Sequence, residues 1–345
     1  MIIKQEKKGN VIIYYVDKEF DDDKLKDIMN TPLKRQQISH IIDHDADVYT
    51  GEGKLLLKFR KKKLNKKPVQ LFYDNIIDFA KTPTNNRGSA SGSKNKNVYN
   101  NPKIMTNIVG YFDKLSPKQK YNFKQKGIPL PKITVRETRF LQEHPDKFQQ
   151  LIPLIQLINK YYKQYIPDKY EAQYNKAKLT PFHIADTAFT TVTTNVNYST
   201  TVHTDTGDDV DGFGNLTVIQ HGLYDGAETC FPQYGIGVDV RTYDVLYMDV
   251  HLPHANLPIV YKSNDAIRLS IVCYLRISIY NQTQRKSKSF MTQHIHKIQQ
   301  LSQTYNKHKT TYNKQYNTRK NKHYNTRKNK HKLLLTYKKL KYFCK

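Results

Sequence analysis

The sequence predicts an α+β protein with a β-rich core, and three observations support this fold class. Residues 187–275 contain five short runs rich in Thr, Val, Ile and Phe, with Gly, Asp and Pro between them. This spacing is typical of two sheets packed as a sandwich or barrel. Residues 148–162 carry apolar side chains at helical spacing. Residues 286–345 contain 17 Lys or Arg and no acidic residue, a composition that cannot supply a packed core.

The N-terminal part, residues 1–130, is expected to form an α/β elaboration that packs on the core. Residues 11–16 predict a strand, residues 20–29 predict a short helix, and residues 55–59 form a second apolar run. Residues 82–102 predict a loop in which small residues stand beside Arg and Lys. We interpret this loop either as an active-site flap that binds a phosphate or carboxylate, or as a plain solvated loop.

Residues 131–285 are expected to form the core domain. The helix over residues 148–162 presents one apolar face, and Pro153 is expected to kink or split it. The strands of this domain are predicted at residues 187–197, 216–219, 236–240, 245–250 and 267–275.

Residues 286–345 are expected to form a disordered basic tail, with a weak helix over residues 333–343. The tail repeats the sequence Tyr-Asn-Thr-Arg-Lys-Asn-Lys-His, first from Tyr316 and again from Tyr324. One interpretation is an arm that neutralises nucleic-acid phosphates and stacks tyrosines on bases. The other is compositional drift, because the whole chain is rich in Lys, Asn, Ile and Tyr.

Length, charge and cysteine content exclude several classes. The 345 residues hold 57 basic and 30 acidic side chains, a net charge of +27 that favours a polyanionic partner. No apolar run is long enough to span a membrane, and the N-terminus lacks a signal-peptide pattern. Cys230, Cys273 and Cys344 are too widely separated for a disulfide framework. We therefore expect an intracellular protein, located in the nucleus or cytoplasm. This expectation includes a viral protein in an infected host cell. No sequence feature specifies an oligomeric state.

Two groups of residues predict a metal site. His203 and Asp205 are two positions apart, so in an extended chain both side chains project to one face. A second histidine follows downstream, either His251 or His254. Two histidines and one carboxylate form the facial triad of non-haem Fe(II) oxygenases, which leaves coordination positions open.

A third group predicts a carboxylate-binding site. Arg268 and Ser270 share one face of an apolar strand, and the opposite face carries Ile267, Leu269, Ile271 and Cys273. An unpaired buried arginine is costly, so its position within this strand predicts an anionic partner. A carboxylate ligand held by two parallel hydrogen bonds would provide that partner.

The ordered set of motifs resembles the TET/JBP dioxygenases, and most closely the base-J-type thymine hydroxylases with their viral and phage relatives. The motifs lie at residues 190–198, 201–208, 212–216, 222–226, 238–241, 249–256 and 268–276, with looser similarity at 87–92 and 136–140. This resemblance implies a double-stranded β-helix core of the jelly-roll or cupin type. It also implies Fe(II) as the metal, with 2-oxoglutarate and O2 as cosubstrates.

The resemblance assigns roles by position. His203, Asp205 and His254 would bind iron, Arg268 would hold the C5 carboxylate of 2-oxoglutarate, and Ser270 would hydrogen-bond beside it.

Three further positions bear on these assignments. Asp208 matches a position that contacts the target base in some relatives, and Asn197 could line the same pocket by strand parity. Ala255 stands where the family often has Gly. His251 competes for the third ligand position, and His254 is favoured because Asn256 matches the family.

The expected function is hydroxylation of the 5-methyl group of a pyrimidine in DNA, with thymine preferred over 5-methylcytosine. The body and the basic tail would both hold the DNA. One alternative keeps the chemistry but changes the substrate to RNA, a nucleotide or a protein. The other alternative is a non-catalytic β-barrel protein that binds nucleic acid.

Overall fold

The computed structural model describes residues 1–84 and 104–301. Most of the loop predicted at 82–102, most of the predicted tail with its repeats, the weak helix at 333–343 and Cys344 lie outside the described residues. Among the described residues, no helix is both long and apolar enough to cross a bilayer. The fold is mixed α and β, as predicted, with one large sheet.

The helices of the described residues are α1 Asp22–Ile28, α2 Lys66–Ala80, α3 Pro117–Gln125, α4 Arg139–Glu143, α5 Pro145–Tyr165, α6 Pro167–Ala177, α7 Ile277–Thr283 and α8 at 288–301. The strands are β1 Ile2–Lys8, β2 Val11–Val16, β3 His40–Ile42, β4 Ala46–Thr50, β5 Leu55–Arg60, β6 Thr106–Phe112, β7 Arg136–Glu137, β8 Thr191–Val196, β9 Gly214–His221, β10 Tyr224–Gly226, β11 Thr229–Phe231, β12 Ile236–Val238, β13 Val245–Met248, β14 Ala255–Asn256, β15 Ile259–Tyr261 and β16 Ile267–Tyr274.

The large sheet has ten strands in the order β1-β2-β4-β5-β13-β9-β16-β8-β6-β7. A second sheet has the order β14-β11-β12-β3, and β10 pairs with β15. The five strands predicted in the core domain are confirmed as β8, β9, β12, β13 and β16.

One face of the large sheet packs against helices. The buried residues of α5 include Leu151, Leu154 and Ile158, and they form one apolar cluster with Leu269 and Ile271 of β16. The helix predicted at 148–162 is confirmed, and it continues through Pro153 without being split. Pro153 lies on the exposed side of α5, where water can hydrate the carbonyl that loses its partner.

The other face of the large sheet packs against the four-stranded sheet. Phe231, Ile236 and Val238 of the small sheet join Leu216 and Leu246 of the large sheet in a second apolar cluster. Two sheets therefore face each other, and their polar ends enclose the site described below.

Contacts between residues group the described part of the chain into two compact units. Residues 1–114 and 133–288 form one compact unit, because β5 pairs with β13 and so joins the N-terminal strands to the core sheet. The described part of the second unit contains residues 115–132 and 289–301.

The disorder predicted for residues 286–345 is wrong for residues 288–301, which form α8. Met291 and Ile298 of this helix are buried, and Ile298 clusters with Leu115 and Phe123 of the same unit. Apolar residues at helical spacing therefore allow this segment to pack as a helix, although its basic composition predicted disorder.

Candidate metal and carboxylate site

A cavity of about 230 Å³ lies between the two sheets. The large sheet contributes Thr193 and Asn195, and the small sheet contributes Thr229 and Asn256. Much of the wall is polar, although the strands beneath it are buried in apolar clusters. The cavity is therefore suited to a charged or strongly hydrogen-bonding ligand.

His203, Asp205 and His254 meet at this cavity. Their ligand atoms all lie within 4.8 Å of one another. One oxygen of the Asp205 carboxylate lies 3.7 Å from His203 Nε2, and the other lies 3.8 Å from His254 Nε2. These residues therefore form a group that could hold one metal ion.

The backbone fixes the positions of the three side chains. His203 and His254 form an isolated antiparallel bridge, in which each amide donates to the other residue's carbonyl at 3.0 and 2.9 Å. The Asp205 amide donates to the Val250 carbonyl at 3.0 Å. The segment that carries His203 and Asp205 is thus attached to the segment that carries His254.

Hydrogen bonds also determine which ring nitrogens are available to a metal. His203 Nδ1 lies 2.7 Å from the Thr201 carbonyl, and His254 Nδ1 lies 2.9 Å from the Leu252 carbonyl. A carbonyl only accepts hydrogen bonds, so both Nδ1 atoms carry the proton. Both Nε2 atoms are then left with a lone pair, which is the arrangement that a metal-binding histidine needs.

His251 lies outside this group. Its Nδ1 is 3.4 Å from Asp249 Oδ1, and Asp249 is paired with Lys54 at 2.8 Å. Of the two downstream histidines, the structure brings His254 to Asp205.

Arg268 and Ser270 lie on the face of β16 that points away from the helices, as the alternation predicted. Ser270 belongs to the cavity wall, whereas Arg268 does not, although it lies two residues along the same face. Arg268 is 2% exposed, and its Nε and Nη2 have no hydrogen-bond partner among the residues the structure describes. Burial lowers the pKa of this guanidinium. A carboxylate would supply the missing acceptors and the missing charge.

Asp208 and Asn197 differ in position. Asp208 is 8% exposed and lines the cavity. Asn197 is outside the cavity wall, and its side chain hydrogen-bonds to the backbone of β16 and of Ala266, the residue before β16. Its Oδ1 accepts from the Arg268 amide at 2.7 Å, and its Nδ2 donates to the Ala266 carbonyl at 3.0 Å.

The sequence reasoning missed Arg276, which also lines the cavity and whose Nε donates to Asp113 at 3.0 Å. β16 ends at Tyr274 and Arg276 directly precedes α7, so the alternation along the strand does not predict the position of Arg276.

Fold and site together define the class of protein. A group of two largely buried histidines and a partly exposed aspartate, between facing sheets and near a buried arginine without an anion, is the arrangement of a mononuclear non-haem iron oxygenase. Residues 123–277 match the family model Tet_JBP, described as the oxygenase domain of the 2OGFeDO superfamily. The resemblance to the TET/JBP family is thus confirmed for this segment, and with it the Fe(II)- and 2-oxoglutarate-dependent class of the domain.

Two curated relatives agree with this match. The chain is 29% identical over 237 residues to a bifunctional helicase and thymine dioxygenase JBP2 of Leishmania braziliensis, covering 68% of this chain and 19% of that protein. It is 28% identical over 258 residues to a thymine dioxygenase JBP1 of Trypanosoma brucei brucei, covering 72% of this chain and 28% of that protein. The chain therefore spans less than a third of the length of either relative.

Among solved structures, NgTET1 in complex with 5mC DNA overlaps 81% of this chain and 89% of its own. The TM-score is 0.48 and the sequence identity is 13%.

Proposed function

We propose that this protein is an Fe(II)- and 2-oxoglutarate-dependent dioxygenase that hydroxylates the 5-methyl group of a pyrimidine in DNA, with thymine as the preferred base. The observation that carries the proposal is the His203–Asp205–His254 group at the cavity, together with a buried arginine whose Nε and Nη2 lack an acceptor among the described residues. We also propose that the two facing sheets are a double-stranded β-helix.

The site residues have separate proposed roles in binding the metal and the cosubstrate. His203, Asp205 and His254 would hold Fe(II) through two Nε2 atoms and a carboxylate, leaving positions for cosubstrates. Arg268 and Ser270 would hold the distal carboxylate of 2-oxoglutarate by charge and hydrogen bonds. The bound metal supplies the oxidising chemistry, in which O2 and 2-oxoglutarate are consumed as a C–H bond is hydroxylated.

Asp208 would face the target base from the cavity wall. A base in duplex DNA reaches such a cavity only after it leaves the stack, which costs a few kcal/mol. The preference for thymine rests on the two relatives, both of which are named thymine dioxygenases. An intracellular location, in the nucleus or cytoplasm, stays a prediction.

The test is product analysis. Purified protein is incubated with Fe(II), 2-oxoglutarate, ascorbate and duplexes that contain either thymine or 5-methylcytosine, and the digested nucleosides are analysed by mass spectrometry. We expect succinate together with 5-hydroxymethyluracil. Succinate with 5-hydroxymethylcytosine alone would reverse the base preference. Coupled succinate formation only with RNA, a nucleotide or a peptide would replace DNA as the substrate. No succinate with any of these substrates would overturn the enzymatic proposal.

A separate prediction concerns the basic tail. Of the 17 Lys and Arg in residues 286–345, 14 lie after Leu301. Removing residues 302–345 is expected to weaken DNA binding and to flatten the dependence of log affinity on log salt, because fewer counterions are released. The measurement is DNA binding across a salt series, and the affinities for metal and 2-oxoglutarate are expected to stay unchanged.

The position of the truncation matters for this experiment. Ending the chain at residue 285 would also remove Met291 and Ile298, which are buried in α8. That variant is expected to lose stability for reasons unrelated to DNA. If the chain that ends at residue 301 has the same salt dependence as the native protein, the repeats do not contribute to DNA binding and reflect compositional drift.

A further inference from the structure

Three polar side chains form a row across three neighbouring strands of the large sheet. Thr106 of β6 pairs directly with Asn195 of β8, and Asn195 pairs directly with Ser270 of β16. Directly paired residues of an antiparallel sheet share a face. Asn195 and Ser270 line the cavity, whereas Thr106 is not part of its wall. All three side chains are buried, with 7%, 6% and 3% of their surface exposed.

The hydrogen bonds in this row have a direction. Thr106 Oγ1 donates to Asn195 Oδ1 at 2.9 Å, and Asn195 Nδ2 donates to Ser270 Oγ at 3.1 Å. An amide NH2 only donates and an amide oxygen only accepts. Ser270 Oγ is therefore the acceptor in its bond with Asn195, and its own proton is left to point elsewhere. Among the described residues, Ser270 Oγ has no second partner.

We propose that Thr106 and Asn195 act as positioning residues that make Ser270 a hydrogen-bond donor, and so select an ionised carboxylate as the cosubstrate group beside it. This inference rests on the proposed use of 2-oxoglutarate. A carboxylate only accepts hydrogen bonds, so it gains from a serine whose proton is available. If the Asn195 amide were reversed, Asn195 Oδ1 would take the Ser270 proton, and the serine would present only lone pairs to the carboxylate.

The role of Thr106 follows from the same argument. Thr106 Oγ1 supplies the proton that holds Asn195 Oδ1 on the side away from Ser270. Its hydroxyl does not line the cavity, so Thr106 can affect a ligand only through Asn195 and Ser270. A carboxamide in place of the carboxylate has one accepting oxygen where the carboxylate has two, and its NH2 group only donates, so it could not accept from both Ser270 and Arg268 through separate oxygens.

The test measures binding without turnover. Calorimetry with Mn(II) in place of Fe(II) gives the dissociation constants of 2-oxoglutarate and of its C5 amide, 2-oxoglutaramate. Asn195→Asp preserves the shape of the side chain. The new carboxylate accepts hydrogen bonds from both Thr106 and Ser270 and adds a negative charge. We expect it to weaken 2-oxoglutarate binding by roughly a hundredfold or more, and to narrow the preference for 2-oxoglutarate over the amide. Mn(II) affinity is expected to stay within a few-fold of the native protein.

Thr106→Val provides a second variant that buries no new charge. It is expected to weaken 2-oxoglutarate binding by about threefold to tenfold, and Ser270→Ala by about tenfold. Combined with Ser270→Ala, Thr106→Val is expected to have no further effect, because its influence passes through the serine hydroxyl. A purely structural threonine would act equally in both backgrounds.

Asn215→Ala is the matched control. Asn215 is an equally buried asparagine that bonds to the backbone of Cys273 on β16, but it is not part of the cavity wall. Its loss is expected to lower stability and leave the preference for 2-oxoglutarate over the amide unchanged. Native protein that fails to bind 2-oxoglutarate would contradict the proposed function itself. If the native protein binds it, and Thr106→Val and Asn195→Asp bind it equally well, the positioning role is wrong.

Discussion

Arg268→Met is expected to remove most of the affinity for 2-oxoglutarate and, at the same time, to raise the thermal stability of the cosubstrate-free protein. The guanidinium is fully buried, and its Nε and Nη2 have no partner among the described residues. Replacing an unpaired buried charge with an apolar side chain of similar length stabilises a fold, by about 1 kcal/mol or more. Losing a charged, two-pronged contact to a carboxylate weakens binding by roughly a hundredfold to a thousandfold.

The two effects are measured separately, by calorimetry with Mn(II) and 2-oxoglutarate and by thermal unfolding without them. Arg60→Met is the matched control. Arg60 is also buried, but its Nη2 lies 2.7 Å from Asp47, and its Nη1 donates to the carbonyls of Ala46 and Phe59 at 2.9 Å. Its replacement removes the nearer of the two cations that pair with Asp47 and leaves only Lys58 at 3.5 Å, so stability is expected to fall while affinity for 2-oxoglutarate is retained. If Arg268→Met instead lowers stability and keeps that affinity, Arg268 has a structural role.

Replacing any of His203, Asp205 or His254 with Ala is expected to abolish turnover and to weaken metal binding by more than about a hundredfold. Loss of a residue that only orients a metal ligand already weakens binding by about tenfold to a hundredfold, so loss of a ligand costs more. The measurement is Mn(II) or anaerobic Fe(II) binding by calorimetry, followed by succinate production with DNA present.

His251→Ala serves as the comparison for the metal ligands. His251 is three residues from His254 but pairs with Asp249, so its removal is expected to leave metal affinity within a few-fold of native. A protein that keeps its metal after His254→Ala and loses it after His251→Ala would show that the ligand assignment is wrong.

The parts of the fold that the sequence predicted are those with a local signature. The alternation along β16 placed Leu269 and Ile271 on one face and Arg268 and Ser270 on the other, and the structure has this arrangement. The spacing of apolar residues likewise predicted helix α5. The segment containing α8 was misjudged because its lysines, taken with the rest of the tail, obscured the apolar stripe through Met291 and Ile298.

Long-range pairing had no such signature. Nothing within residues 55–60 indicates that they pair with residues 245–248, yet that pairing joins the N-terminal strands to the core sheet. The candidate site shows the same limit. Residue identity and spacing predicted the residues that could bind a metal and a carboxylate. The row through Thr106, Asn195 and Ser270, in contrast, depends on three strands that lie far apart in the chain. Such a row becomes visible only when the strand order is known.

The mutual backbone bridge between His203 and His254 has a consequence for metal affinity. Closing a loop of about 50 residues costs chain entropy of roughly 3 to 4 kcal/mol. Here the closure is achieved by amide-to-carbonyl hydrogen bonds between the two histidines. The three donor groups therefore resemble a preassembled chelator, whose selectivity among divalent ions depends on donor chemistry and geometry and not on a folding step.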